Sequence, residues 1–184
     1  MCSSDLELVE KGAVTNARKP FDQGQSVTSL LIGSARLFKF ADRNPALAMR
    51  PSVYTQSIDV VCRIPNMTAL NTALEVDLTG QVNAEQVGDS YIGGVGGSAE
   101  YVRAAQRAPR GRSIMAMTSM AKGGSRIRVR LDAAVVTSPR SDADVVVTEY
   151  GAAELRAQTI PERIRRMIAI AHPDRKSTRL NSSH

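Results

Sequence analysis

In 184 residues there is no tryptophan, there are two cysteines and two histidines, and aromatic side chains make up 4%. Each shortage excludes a class of chemistry. Cys2 and Cys62 cannot build a disulfide framework, and no Cys-x-x-Cys occurs, so a reducing, cytoplasmic setting is expected. With only His172 and His184, a His-rich metal site or a Ser/His/Asp triad has almost no material, and no metal is expected. Few aromatic rings leave few platforms for base stacking, which disfavours a single-strand nucleic-acid binder. The longest apolar stretches, at 145–147 and 167–171, fall far short of the roughly 18 residues of a spanning helix, so no membrane span is expected.

What is present is a globular composition, 42% hydrophobic and 23% charged, with length enough for one ordinary core. The ends differ from the rest. Residues 1–6 (Met-Cys-Ser-Ser-Asp-Leu) and 174–184 (Asp-Arg-Lys-Ser-Thr-Arg-Leu-Asn-Ser-Ser-His) have no apolar period. Back-translated with suitable codons, they resemble the two ends of a common sequencing adapter. Both are expected to lie outside the fold, leaving one domain over 7–173. Setting aside Asp5, Asp174, Arg175, Lys176 and Arg179 leaves 21 basic and 16 acidic residues, still net +5. A basic balance attracts polyanions, and nucleic acid, an anionic membrane or a phosphate-rich ligand satisfies it equally.

The apolar patterning predicts an α/β domain. A strand over 26–32 ends at Gly33, and Ser34 caps a helix carrying Leu37, Phe38, Phe40 and Ala41. The stretch 67–78 reads as two short pieces broken around Asn71-Thr72. Glu75 and Asp77, two apart, would share a side of a strand, with structural hydrogen bonding as their role. Ser98 caps a helix running to Pro109; 113–117 and 127–131 read as strands, the latter with Arg126, Arg128 and Arg130 on a solvated face. The β-branched run 145–148 reads as a strand covered on both sides, feeding a helical turn at 152–155. Residues 160–171 form an amphipathic helix with Ile164, Met167, Ile168 and Ala171 on one face and Arg163, Arg165 and Arg166 elsewhere.

Chemistry concentrates in Tyr91-Ile-Gly-Gly-Val-Gly-Gly-Ser98. Four glycines in five residues beside a helix N-terminus let a phosphate or a developing oxyanion approach backbone N–H groups; the alternative is a tight turn needing positive φ. The spacing is neither Gly-x-Gly-x-x-Gly nor a P-loop. Lys122, in Ala-Lys-Gly-Gly-Ser, is either a phosphate contact or a solvated lysine. Glu149 closes the 145–148 strand, where open α/β sheets place ligands. Cys62 reads as a small buried hydrophobe.

Six blocks then occur in one order: Val14-Thr-Asn-Ala-Arg-Lys19, Asn71-Thr-Ala-Leu-Glu-Val-Asp-Leu-Thr-Gly-Gln-Val-Asn83, Gly94-Val-Gly-Gly97, Ala121-Lys-Gly-Gly124, Val147-Thr-Glu-Tyr-Gly151 and Ile168-Ala-Ile-Ala-His-Pro173. Over essentially all of 7–173 they resemble the C-terminal half of the acetyl-CoA hydrolase/transferase family. The resemblance implies a CoA-transferase-like (NagB/RpiA/CoA-transferase type) domain with a mainly parallel sheet flanked by helices, the second of two related domains with the active site between them. It implies acyl-CoA and a small carboxylic acid as substrates, no permanently bound cofactor, the N-terminal domain of the same protein as partner, and a homo-oligomer at full length. By position, Gly93 and Gly97 match a CoA-contacting loop, with Gly96 and Gly97 offering backbone to an oxyanion. Lys122 matches a CoA-contacting lysine, and Glu149 an active-site glutamate that is not the nucleophile. The nucleophilic glutamate of the family lies just before Glu7-Leu-Val-Glu-Lys-Gly12, outside this sequence. Gln56 stands where the family has asparagine and is a candidate substrate contact; Glu100-Tyr101 replaces Asp-Phe, and Arg128 interrupts an Ile-Val-Pro-Arg run. A dedicated hydrolase is the alternative within the family, and a basic nucleic-acid-binding module the alternative outside it.

Overall fold

A computed structural model describes residues 3–131 and 135–175. The chain opens with α1 (Ser3–Glu10), β1 (Ser26–Thr28), α2 (Ala35–Ala41), β2 (Leu47–Met49), α3 (Ser52–Thr55) and α4 (Ile58–Val61). It continues through β3 (Thr68–Thr72), β4 (Glu75–Asp77), β5 (Val82–Asn83), β6 (Gln86–Val87), β7 (Ser90–Tyr91) and α5 (Ser98–Arg107). Then come β8 (Arg112–Ala116), β9 (Met120–Ala121), β10 (Gly124–Ser125), β11 (Ile127–Arg128), β12 (Val145–Thr148), β13 (Gly151–Glu154) and α6 (Ile160–Ala169).

The main sheet has the order β13-β12-β8-β3, with β3, β8 and β12 parallel and β13 antiparallel at the edge. Helix α5 packs on β3 and β8, and α6 on β13. This is the α/β architecture expected, a mainly parallel sheet with helices against it. Beside it stands a smaller sheet, β11-β4-β5. The core joins the two: Val76, Val82 and Ile127 from the small sheet pack with Met115 and Val146 from the large one and with Val102, Met167 and Ile168 from α5 and α6. Burying side chains of this size contributes roughly 1.5–3 kcal/mol each.

Several local expectations change. The helix over 98–107 is capped by Gly97, not Ser98, which is its first residue. Residues 26–32 keep only a three-residue strand, and 127–131 only two, because each pairs along a single short neighbour. The break in 67–78 falls at Ala73-Leu74, after Asn71-Thr72. Residues 152–155 are not a helical turn: Thr148 pairs with Gly151, so Glu149 and Tyr150 turn a hairpin and 151–154 runs back along β12. Its corner uses Gly151 at φ +137°, a conformation side chains oppose.

Arg163 is buried on the inner face of α6, donating from Nη1 to the carbonyls of Thr79 (3.1 Å) and Arg140 (2.8 Å). Periodicity placed it off the apolar face, but a guanidinium that finds carbonyl acceptors tolerates burial. Arg126 is half-buried, its Nε on Leu74 O at 2.8 Å and its Nη2 on Ala73 O, rather than on a solvated face. Cys62 is half-buried, not buried. Asp77 takes the structural role expected, accepting from Thr79 and Gln81, while Glu75 pairs with Arg128 at 2.5 Å. At the N-terminal end, α1 begins at Ser3 and its Leu6 is 1% exposed. Helix α1 packs against α2, whose Leu37 is also buried, so Leu6 is among the buried side chains although residues 1–6 are expected outside the fold. Residues 176–184 of the polar tail lie outside the described residues.

Candidate functional site

Parallel strands end together, and here Thr72 pairs with Ala116 and Ala116 with Val147, so the segments after β3, β8 and β12 emerge at one edge. That carboxyl edge is where open α/β sheets hold ligands. Glu149 leaves β12 there and meets Ser119, which leaves β8. The Ser119 N–H donates to Oε2 and its hydroxyl to Oε1, both at 2.7 Å. The backbone N–H of Ser119 does most to hold the Glu149 carboxyl below the ordinary range, aided by the hydroxyl and His172 against some desolvation. A carboxylate that accepts hydrogen bonds on both oxygens is favoured in its ionised form. Beneath it the Thr148 hydroxyl donates to Ile170 O at 2.7 Å and accepts from Tyr150 N at 3.1 Å, and the Tyr150 ring meets His172 edge-on at 5.5 Å.

The glycine loop reaches the same edge from the other side. Helix α5 ends at Arg107, and β8 begins at Arg112, the amino edge of the sheet. A ten-residue helix rises about 15 Å, so its start lies back toward the carboxyl edge. The β6–β7 hairpin, followed by an Ile92 N–H bond to Glu85 O at 2.8 Å, launches the loop. A side chain begun at Gly94 or Gly96 would meet nothing within 4 Å, and at Gly93 only Ala84 O at 3.9 Å; Gly96 has φ +55°. The loop is therefore exposed backbone beside the positive end of a helix dipole. Gly97 differs. A Cβ there would stand 2.6 Å from Gln56 Nε2 and 2.7 Å from Gln56 Cδ, so two candidate residues far apart in sequence touch.

Lys122 and Gly123, at φ +46° and +74°, form the two-residue turn between β9 and β10. Lys122 is exposed on a cleft of about 590 Å³ that also includes Ile92 below the glycine loop, Leu74, Arg126 and Arg128. Glu149, Gln56 and the glycines Gly93, Gly96 and Gly97 do not line this cleft. The Glu149 corner is adjacent to it through Thr118, whose hydroxyl accepts from Arg126 Nη1 at 3.1 Å next to Ser119. Ser119 and Arg126 are thus site residues that sequence reasoning passed over; a Thr-Ser pair closing the 113–117 strand was the available signal. A second cleft, of about 360 Å³ at the amino edge, sets Arg110, Arg112 and Arg156 among Asp144 and Glu154. Among the described residues no group of three or more His, Cys, Asp or Glu gathers to hold a metal ion, and no helix is long and apolar enough to cross a membrane.

Comparison with known proteins bears on this geometry. The profile of the acetyl-CoA hydrolase/transferase C-terminal domain matches residues 33–182. The chain is 37% identical over 179 residues to the 4-hydroxybutyrate coenzyme A transferase of Clostridium kluyveri, covering 96% of this chain and 42% of that protein. It is 31% identical to the acetyl-CoA hydrolase of Kluyveromyces lactis, over 93% of this chain and 32% of that one. Among solved structures, RipA from Yersinia pestis superposes with a TM-score of 0.89 at 34% identity, covering 100% of this chain and 41% of its own. The chain therefore spans about two fifths of the length of these two bacterial relatives.

Proposed function

The chain belongs to the acetyl-CoA hydrolase/transferase family, and from that premise we propose that it forms the CoA-holding half of an enzyme that moves CoA between an acyl-CoA thioester and a small carboxylate. The observation that carries this reading is the open backbone of Gly93, Gly94 and Gly96, set just before the start of α5 with Gly97 against Gln56. A glutamate from just upstream of Glu7, in a site that the N-terminal domain would complete, attacks the thioester carbonyl and expels CoA thiolate, leaving an acyl-glutamyl anhydride. The thiolate then attacks the glutamyl carbonyl, releasing the first carboxylate and leaving a glutamyl-CoA thioester; an acceptor carboxylate reverses both steps. Each attack builds negative charge on a carbonyl oxygen, and backbone N–H groups at Gly96 and Gly97 stabilise it. Gly93, Gly97 and Lys122 contact CoA, the ammonium reaching phosphate. Glu149 stays ionised and positions groups without attacking, and Gln56 supports the loop and the substrate. Coenzyme A enters as substrate; the enzyme is cytoplasmic and a homo-oligomer at full length.

Transfer is favoured over hydrolysis because the transferase relative is 37% identical and the hydrolase relative 31%. The test is kinetic, in the protein carrying both domains, with a short acyl-CoA and acetate. Lys122→Ala should raise KM with little change in kcat, since its contact is made in ground and transition states alike. Gly97→Val should lower kcat about a hundredfold, the scale of one lost oxyanion donor. Retention of near wild-type kcat by Gly97→Val would reduce the loop to a turn and remove the reading.

A further inference from the structure

Glu149 is exposed, and a glutamate side chain in water has several rotamers open to it. Ser119, fully buried, gives Oε2 its N–H and Oε1 its hydroxyl proton, both at 2.7 Å. Ser119 is itself fixed from the other side, its carbonyl accepting from Arg126 N at 2.9 Å. The neighbouring Thr118 hydroxyl donates to Met120 O at 2.8 Å and accepts from Arg126 Nη1 at 3.1 Å. Arg126 also donates to the carbonyls of Ala73 and Leu74, so one side chain ties the segments that leave β3 and β8. From Ser119 the chain runs directly into the β9–β10 hairpin, where Met120 pairs with Ser125 and Ala121 with Gly124 around the Lys122 turn. Ser119 therefore stands between the carboxylate corner and the Lys122 cleft. Its N–H and hydroxyl hold the first, and its carbonyl is bonded to Arg126 on the wall of the second.

We propose that Ser119 is a positioning residue of this site: it sets the Glu149 carboxylate at a fixed offset from the Lys122 hairpin, so that a CoA ester seated in the cleft meets that carboxylate in one orientation. The proposal rests on the reading of the site as one of acyl transfer. Ser119 has no exposed surface with which to meet a substrate, so it acts through Glu149 alone. Freed of the hydroxyl, the carboxylate keeps the Ser119 N–H but can turn about it, and the time spent in the productive orientation falls. The loss appears in turnover rather than in the hold on CoA, because the Lys122 turn and the cleft walls are untouched.

Two measurements test this. In the 184-residue chain, titration of the Glu149 carboxyl by carbon-13 NMR should show its pKa raised by Ser119→Ala, since a donor to the ionised form is gone. The other charged or titratable groups at this corner are His172, with Asp174 Oδ2 at 3.6 Å from its Nδ1, Tyr150 and Arg126; all are common to both proteins, so the difference reports Ser119. In the protein carrying both domains, with a short acyl-CoA and acetate, Ser119→Ala should lower kcat about tenfold and leave KM for acyl-CoA within about twofold. The acid limb of its kcat profile should move to higher pH, and in a Glu149→Gln background the same substitution should change kcat by less than about twofold. If Ser119→Ala fails to melt cooperatively, Ser119→Cys, close in size and a weak donor, takes its place in both measurements. An unmoved Glu149 titration, or a loss of kcat that persists undiminished in the Glu149→Gln background, would overturn the proposal. Wild-type kcat in Ser119→Ala beside a slow Glu149→Gln would overturn it and leave the acyl-transfer reading standing, whereas wild-type kcat in Glu149→Gln would remove Glu149 from that reading and the proposal with it.

Discussion

At the carboxyl edge of the sheet, Glu149 has both oxygens bonded to Ser119 and a buried Thr148 beneath it, whereas Gly93, Gly94 and Gly96 present backbone around which a new side chain would find space. The difference lies in what fills the surroundings. The Glu149 corner rests on the core of β8, β12 and α6 and is finished within the chain. The loop, flanked by exposed Tyr91, Ile92 and Val95, leaves room for a ligand or a second domain. Pre-organised charge and open backbone are the two halves that the proposed acyl transfer would draw on.

The sharpest way to break this contrast is at glycines on either side of it. Gly111, between α5 and β8, has no room: a Cβ there would overlap the Ala105 carbonyl and press Ala108. Gly111→Ala should cost about 3 kcal/mol, roughly 9 °C in Tm. An unchanged melt would show that the packed half yields. Glu149→Gln is expected to do less, lowering Tm by about 2 °C at neutral pH, because the carboxylate is exposed and solvent screens it. Its folded pKa is depressed, so its stabilisation is complete above the ordinary carboxylate range and is lost as pH falls through the lowered value. The gap between wild type and variant should therefore close in acid; a gap independent of pH would assign the effect to packing. Gly94→Ala should move stability by no more than about 0.5 kcal/mol while weakening CoA retention, and a large drop in Tm would mean that the loop is not open.

The parts that were legible in sequence are those whose pattern is long or whose composition is singular. The run 145–148 and the helix of 160–169 announced themselves by β-branching and period, and the glycine cluster by its density. The hairpin at 151–154 did not, because Ala-Ala-Glu carries no strand signature and only pairing with Val145 to Val147 makes it one. Ser119 is 30 residues from Glu149, and nothing local ties them. Arg163 was misplaced for the same reason: the carbonyls that admit it to the interior belong to distant loops. The basic excess is likewise partly structural, with Arg163 and Arg126 on carbonyls and Arg165 and Arg166 gathered on Glu162, whose pKa falls to about 2.

The Arg163 bond to Thr79 O closes a loop of 84 residues, and its second acceptor, Arg140 O, lies 23 residues away. Contacts of such span form only after the intervening chain has condensed, and the parallel pairings of β3, β8 and β12 are themselves non-local. A guanidinium bonded this late would do little to guide the folding search and more to slow escape from the native state. Lifetime against unfolding is thereby expected to depend on this buried cation more than the speed of sheet assembly does.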